Sequence, residues 1–289
     1  MQFALFRCCP TAVFIKQYES STDAVLTRLG VGVVDVPEFN CCGYPLKNYD
    51  FKAYLLSSAR NLCLAEKRNL NILTLCSCCY GSLKHADHLM REDVSIRDDI
   101  NAILQKEGLK YTGGIKVRHM LEVLYEDIGI DQIKQKIEKT FSGPKVATQY
   151  GCHLLRPRQI VQFDNPEEPV KFDQLVNITG AESVEWSAKV KCCGAPAWGV
   201  NDDLSMDLTE QKIINARQSG AEYLCVACVF CHLQFDRVQR MLCERRNKNE
   251  YLPSILYPQL LGLSLGIDAD TLGIDQNELS ISGILDCLT

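Results

Sequence analysis

The feature that most constrains this chain is a cysteine pattern that occurs twice at a nearly constant offset. In the first half, Cys8-Cys9 is followed by Cys41-Cys42-Gly43-Tyr44-Pro45 and then by Cys76-Ser77-Cys78-Cys79. In the second half, Cys152 is followed by Cys192-Cys193-Gly194-Ala195-Pro196 and then by Cys228-Val229-Phe230-Cys231. Cys41 and Cys192 lie 151 positions apart, and Cys76 and Cys228 lie 152 apart. Self-similarity at one offset marks a duplicated unit. The longer first gap of the second half contains Asn165-Pro166-Glu167-Glu168-Pro169, a loop-like insertion. We divide the chain into an N-terminal domain, 1–143, and a C-terminal domain, 144–289, with Ser142-Gly143-Pro144 at the boundary. Helical segments from Asp93 to Lys139 extend the first domain.

Between its cysteines each half reads alike. A helical pattern from Asp23 to Leu29 leads through Gly30 to the β-branched run Val31–Val36, and the cysteine pair follows. Residues Phe51 to Arg68 repeat apolar positions at three and four, which predicts a helix. Asn71–Leu75 then predicts a buried strand running into Cys76. Leu204 to Gln218, Gly220 and Glu222–Val226 play the same parts in the second half. Strands alternating with helices predict α/β architecture, with a small parallel βαβ sheet and flanking helices in each half. In such sheets functional groups collect at the carboxyl ends of the strands, where all the cysteine groups fall. The apolar stretch Leu252 to Asp268 reads as a helix, either packed on the domain or offered to a partner.

Composition enters through redox compartment. Sixteen cysteines in 289 residues are too many for an ordinary intracellular enzyme. The N-terminal segment lacks the basic and long apolar regions of a signal peptide, and Ile255 to Ile267 is too short and too broken for a membrane span. The expected location is cytoplasmic, where clustered cysteines argue for metal or redox chemistry rather than bridges. A net charge of −5 gives no footprint for nucleic acid. There is no dinucleotide fingerprint, no P-loop and no ferredoxin-type cysteine run, so no flavin or nucleotide is expected on this chain.

Each half thus offers one cysteine, an adjacent pair and a C-x-x-C. A structural zinc site takes four ligands in a closed tetrahedron. Neighbouring side chains in extended backbone point to opposite sides, so an adjacent pair suits two different metal atoms of a cluster. Iron–sulfur ligation is the favoured reading, with zinc and metal-free thiol redox chemistry as rivals.

The doubled signature resembles the cysteine-rich CCG domain of the heterodisulfide reductase B-subunit family. Tyr80-Gly81-Ser82-Leu83, His232-Leu233-Gln234 and Pro258-Gln259-Leu260-Leu261-Gly262 are also similar to family segments. The resemblance implies two non-cubane [4Fe-4S] clusters, each held by five cysteines at the strand carboxyl ends of a pseudo-symmetric CCG domain. By position these would be Cys9, Cys41, Cys42, Cys76 and Cys79 for one, and Cys152, Cys192, Cys193, Cys228 and Cys231 for the other. Cys8 and Cys78 occupy positions that are usually glycine in the family, and either is an alternative ligand or a bystander. The resemblance further implies an oxidoreductase that splits, or reversibly forms, a small disulfide between the two clusters. Its implied partners are a flavin-containing A-subunit and a ferredoxin-like C-subunit.

Splitting a disulfide takes two electrons and two protons. His153 and His232, each beside a predicted ligand, are the candidate catalytic proton carriers. The blander reading is that each is a polar neighbour of the cluster. Lys84, His85, Arg156 and Arg158 either receive an anionic substrate group or form a solvated face. Two functions stay open beside disulfide reduction: a bacterial heterodisulfide reductase-like complex in sulfur oxidation, and an electron relay to another oxidoreductase.

Overall fold

The computed structural model describes residues 1–248 and 251–289. Strands β1 (Gln2–Phe6), β2 (Gly32–Asp35), β3 (Asn71–Thr74) and β4 (Val117–His119) form one parallel sheet in the order β2-β1-β3-β4. Strands β5 (Lys145–Gln149), β6 (Glu182–Ser183), β7 (Tyr223–Val226) and β8 (Ser254–Leu256) form a second in the equivalent order β6-β5-β7-β8. The expected α/β class, two parallel sheets with flanking helices, is what the chain adopts.

The elements follow from local chemistry. The first long helix spans Lys16–Leu29 and stops at Gly30, whose φ of 81° supplies the left-handed turn into β2. Asp50 caps Phe51–Glu66 by accepting from the Ala53 amide at 2.9 Å, and Asn201 caps Asp202–Gln218 by accepting from the Leu204 amide at 3.0 Å. Cys76 and Cys228 stand in extended backbone as the N-caps of Ser77–Glu92 and Val229–Leu233. Both C-x-x-C groups therefore start where a strand ends and a helix begins.

The strand order places a topological switch point between β1 and β3, and between β5 and β7, where consecutive connections leave in opposite directions. The loop after β1 carries Cys8-Cys9 and the one after β3 leads into Cys76, so these flank the first switch point; Cys152 and Cys228 flank the second.

Two strands were hidden in segments that read as helical. β4 interrupts the extension at Val117–His119, and β8 occupies Ser254–Leu256 ahead of a shorter helix, Tyr257–Ser264. Each has three residues, too few for a periodicity of two to show, and each becomes a strand by pairing with β3 or β7.

The halves interlock. Helix Tyr257–Ser264 packs against Lys16–Leu29 across the sequence, and Ser77–Glu92 packs against Cys152–Leu155 and Arg158–Val161. Tyr80 and Lys84 both donate to the Val161 carbonyl, at 2.9 and 3.0 Å. The apolar segment near the C-terminus is thus buried inside the protein rather than presented as a docking face.

Candidate functional site

The CCG turns set the geometry. Gly43 and Gly194 adopt φ of 82° and 97°, and a Cβ on either would lie 2.7 or 2.6 Å from a helix carbonyl, that of Tyr54 or Ser205. Glycine is required on both counts. The preceding carbonyls are held in matching fashion: Ser58 donates to Cys42 O at 2.5 Å, and Thr209 donates to Cys193 O at 3.1 Å. The turn therefore fixes where the paired thiols point.

In the first half the Cys9 and Cys41 sulfurs approach to 3.4 Å, while the sulfurs of Cys8, Cys76 and Cys79 lie within 4.8 Å of one another. In the second half Cys152, Cys192, Cys193, Cys231 and Cys228 form a corresponding series, each thiol interacting with the next. The two series meet. Cys76 Sγ and Cys228 Sγ are 4.0 Å apart, although 152 positions separate them in sequence.

The electrostatics repeat as well. Hydrogen bonds from Cys42 and Cys9 hold the Cys41 thiol down at about 2, and those from Cys152 and Cys193 hold Cys192 at about 2. Two of those donors move the other way: hydrogen bonding to the neighbouring thiolate pushes Cys42 and Cys193 each up to about 12. The first cysteine of each adjacent pair is therefore the preferred thiolate.

A cavity of about 60 Å³ lies where the series meet, lined by Cys78, Cys152, Cys192, Cys193, Cys228 and Cys231 together with Tyr44, Ser77 and His153. Its walls are almost wholly apolar and sulfur-bearing. His153 Nδ1 is 3.4 Å from Cys78 Sγ and 3.7 Å from Cys152 Sγ, and its ring meets Tyr44 edge-on at 5.1 Å. Gly81 permits this approach, since a Cβ there would sit 3.2 Å from the His153 carbonyl. Burial lowers the His153 pKa.

The other candidates are elsewhere. His232 does not line this cavity; it is buried, 3.2 Å from Ser254 Oγ and 3.6 Å from Asp236, and burial pushes it down to about 3. Lys84 bonds a backbone carbonyl, and His85 Nδ1 lies 3.1 Å from the Tyr54 hydroxyl. Arg156 and Arg158 are exposed away from the cavity lining. Sequence reasoning left Cys78 as an alternative ligand or a bystander, yet it faces His153 and the second series. Its only signal was being an extra thiol within the C-x-x-C.

The donor set fits an iron–sulfur group. Among the described residues no cysteine is in a disulfide. At least five soft donors converge per half, more than a structural zinc takes. Among the described residues the hydroxyls of Thr11, Tyr18 and Ser77 are buried without a partner, beside cysteines or lining the cavity. Buried donors ordinarily find acceptors, and cluster sulfur is one.

Comparison with known proteins places this architecture. The family model for the cysteine-rich CCG domain matches residues 3–84 and again 146–236. The chain is 38% identical over 283 residues to the B subunit of the ferredoxin/F420H2-dependent CoB-CoM heterodisulfide reductase of Methanosarcina acetivorans, covering 96% of this chain and 94% of that one. It belongs to the heterodisulfide reductase B-subunit family. Members of that family are oxidoreductase subunits, and a second relative, from Methanosarcina mazei, is 37% identical over 96% of this chain and 93% of its own. The family also reaches proteins with other names: the 8-methylmenaquinol:fumarate reductase membrane anchor subunit of Wolinella succinogenes is 33% identical, with 96% of both chains covered. A solved structure of a hypothetical protein from Helicobacter pylori shares the fold, with a TM-score of 0.75 at 17% identity over 97% of this chain. The chain spans 52% of that protein's length. Among the described residues no helix of this family member is long and apolar enough to cross a membrane.

Proposed function

We propose that this chain is the iron–sulfur subunit of a heterodisulfide reductase-type complex and cleaves a small disulfide, or forms it in reverse, between its two cysteine series. The observation that carries the reading is the 4.0 Å approach of Cys76 to Cys228 beside a cavity that both halves line. One series is Cys9, Cys41, Cys42, Cys76 and Cys79, with Cys8 alongside; the other is Cys152, Cys192, Cys193, Cys228 and Cys231. Each would hold a [4Fe-4S] cluster of the non-cubane kind, and such clusters, when bound, supply electrons one at a time.

The chain's own residues supply the rest. Apolar, sulfur-lined walls exclude water and favour a neutral disulfide over a charged ligand. His153 faces the cavity and, once it has taken up a proton, hands it as the imidazolium to a departing thiolate and returns to the neutral ring that its lowered pKa favours. His232, whose Nδ1 lies 3.2 Å from Ser254 Oγ behind the second series, orients the Cys231 segment rather than exchanging protons with substrate. Two electrons and two protons convert one disulfide to two thiols. The electrons enter from a flavin-containing protein and a ferredoxin-like protein in the same complex.

A second reading is an electron relay to another oxidoreductase, favoured by the likeness to the Wolinella reductase subunit. Anaerobic iron and sulfide quantitation tests the shared premise, with about eight of each expected per chain from two four-iron clusters. Electron paramagnetic resonance with and without added thiol separates the readings. A signal altered by thiol supports disulfide chemistry; one indifferent to every thiol tried favours the relay.

A further inference from the structure

The helices that follow the two CCG turns correspond residue by residue. Asp50 and Asn201 cap them, Tyr54 and Ser205 present a carbonyl to the CCG glycine, and Ser58 and Thr209 hold the second cysteine's carbonyl. Each pair is 151 positions apart. At that same offset Asn61 in the first helix stands where Lys212 stands in the second.

Both side chains brace the segment entering the turn. Asn61 donates to the carbonyls of Asn40 at 3.1 Å and Cys41 at 3.4 Å, and it is neutral. Lys212 donates to the carbonyl of Lys191 at 3.0 Å and to that of Ala188, and it brings a full charge. It is only 2% exposed, and its ammonium stands 4.6 Å from the ring centroid of Trp186. Two carbonyls and an aromatic face hold this cation, and among the described residues no carboxylate does. The groups that act on it electrostatically are Cys231, Cys193, Cys192 and Cys152.

A buried unpaired charge acts at longer range than an exposed one, because little water intervenes. The described residues of the first half offer no equivalent. Arg60 reaches the Asn40 side chain but is paired with Glu107 at 2.8 Å, and the Lys47 ammonium lies over the Tyr54 ring, 5.7 Å from its centroid.

We infer that Lys212 is the buried counter-charge of the second cysteine series and makes the centre held there the easier of the two to reduce. The inference rests on the iron–sulfur reading above. Each one-electron reduction adds one negative charge and breaks no bond, so a fixed cation nearby stabilises the reduced form and leaves the oxidised form less favoured. Electrons entering the chain therefore settle on the Cys152–Cys231 side, and the Cys9–Cys79 side is the stronger reductant. Burial lowers Lys212 to about 8, which leaves it protonated at neutral pH.

The test is an anaerobic redox titration of the full chain, followed by electron paramagnetic resonance, after iron and sulfide have been quantified. The wild type is expected to show two waves. Lys212→Gln lowers the higher wave alone, by at least about tenfold in the ratio of reduced to oxidised centre at fixed potential, about 59 mV for one electron. Asn61→Lys raises the lower wave and narrows the gap. Coincident waves in the wild type, or a Lys212→Gln protein with both waves unmoved, overturn the inference. If Lys212→Gln does not accumulate, Asn61→Lys decides, and an unmoved lower wave counts against the inference. Wild-type protein that binds no iron or sulfide defeats the cluster reading itself, a separate result.

Discussion

At the scale of single residues, the adjacent pair Cys8-Cys9 poses the sharpest question. Cys8 Sγ lies within 4.8 Å of those of Cys76 and Cys79, whereas strand register speaks for Cys9: Phe3 sits beside Asn71 in the first sheet as Val146 sits beside Tyr223 in the second. Counting forward from those partners sets Cys9 against Cys152 and Cys8 against Gly151. Gly151 has φ of 78°, and a Cβ there would meet Ser77 Oγ at 2.6 Å, so the second half has no room for a side chain at this position. Cys9→Ser is accordingly expected to cost about half the bound iron, one four-iron cluster of two, while Cys8→Ala retains it; iron and sulfide analysis of the two variants checks this. A second residue-scale prediction concerns His119, fully buried and pushed by burial down to about 4. Its Nδ1 accepts from the Leu121 amide at 3.3 Å, which requires the neutral ring. Because its folded pKa lies below the ordinary 6.5, the unfolded chain binds the proton first. Stability is therefore full above about pH 6.5 and falls as pH drops towards 4, by up to roughly 3 kcal/mol. Denaturant titrations of the iron-free chain across that window should slope less steeply for His119→Asn.

At the scale of elements, the decisive unit is the strand end, glycine turn and capped helix that occurs once per half. Its tolerances are narrow because the turn packs directly on the helix it introduces. Gly194→Ala combines a left-handed backbone with a Cβ 2.6 Å from the Ser205 carbonyl, which only a backbone shift relieves. It should destabilise the iron-free chain by about 2 kcal/mol or more, read as a fall in thermal midpoint. The equivalent change at Gly43 should cost a similar amount, since its Cβ meets Tyr54 O at 2.7 Å. Unequal costs would mean that the two turns are not mechanically equivalent. These elements were readable from composition: the glycine after each cysteine pair, the alanine- and leucine-rich run from Phe51, and the apolar run into Cys76. The second of these helices begins at Asp202 rather than Leu204, because Asn201 is the cap and apolar periodicity does not register a polar first turn.

At the scale of the whole molecule, the halves depend on one another. Gln17 of the first long helix reaches Asn277 at 3.4 Å, and Asn277 is also bonded by Gln259 at 3.0 Å, all in buried surroundings. Phe141 and Leu288 form an antiparallel bridge. Residues 1–143 expressed alone would uncover the face of Lys16–Leu29 that Tyr257–Ser264 buries, along with the Gln17 amide. We expect that fragment to aggregate or to give a poorly dispersed NMR spectrum, whereas a well-dispersed spectrum would show that each copy is self-sufficient. The same mutual dependence brings Cys76 to Cys228, so the cavity is a product of docking between halves rather than of either half alone.

The duplication, the parallel α/β class and the gathering of thiols at strand ends were all legible in the chain before it folded, because they follow from spacing, periodicity and the handedness of βαβ connections. Three other features came from packing. Pairing, not propensity, made strands of Val117–His119 and Ser254–Leu256. The docking of the halves set His153 rather than His232 against the cavity, a matter of which side of a helix start faces the partner half. Packing also buried Lys212 with no carboxylate beside it among the described residues, where the chain shows only one lysine among many. All three depend on contacts between residues far apart in sequence, and local pattern carries no record of those.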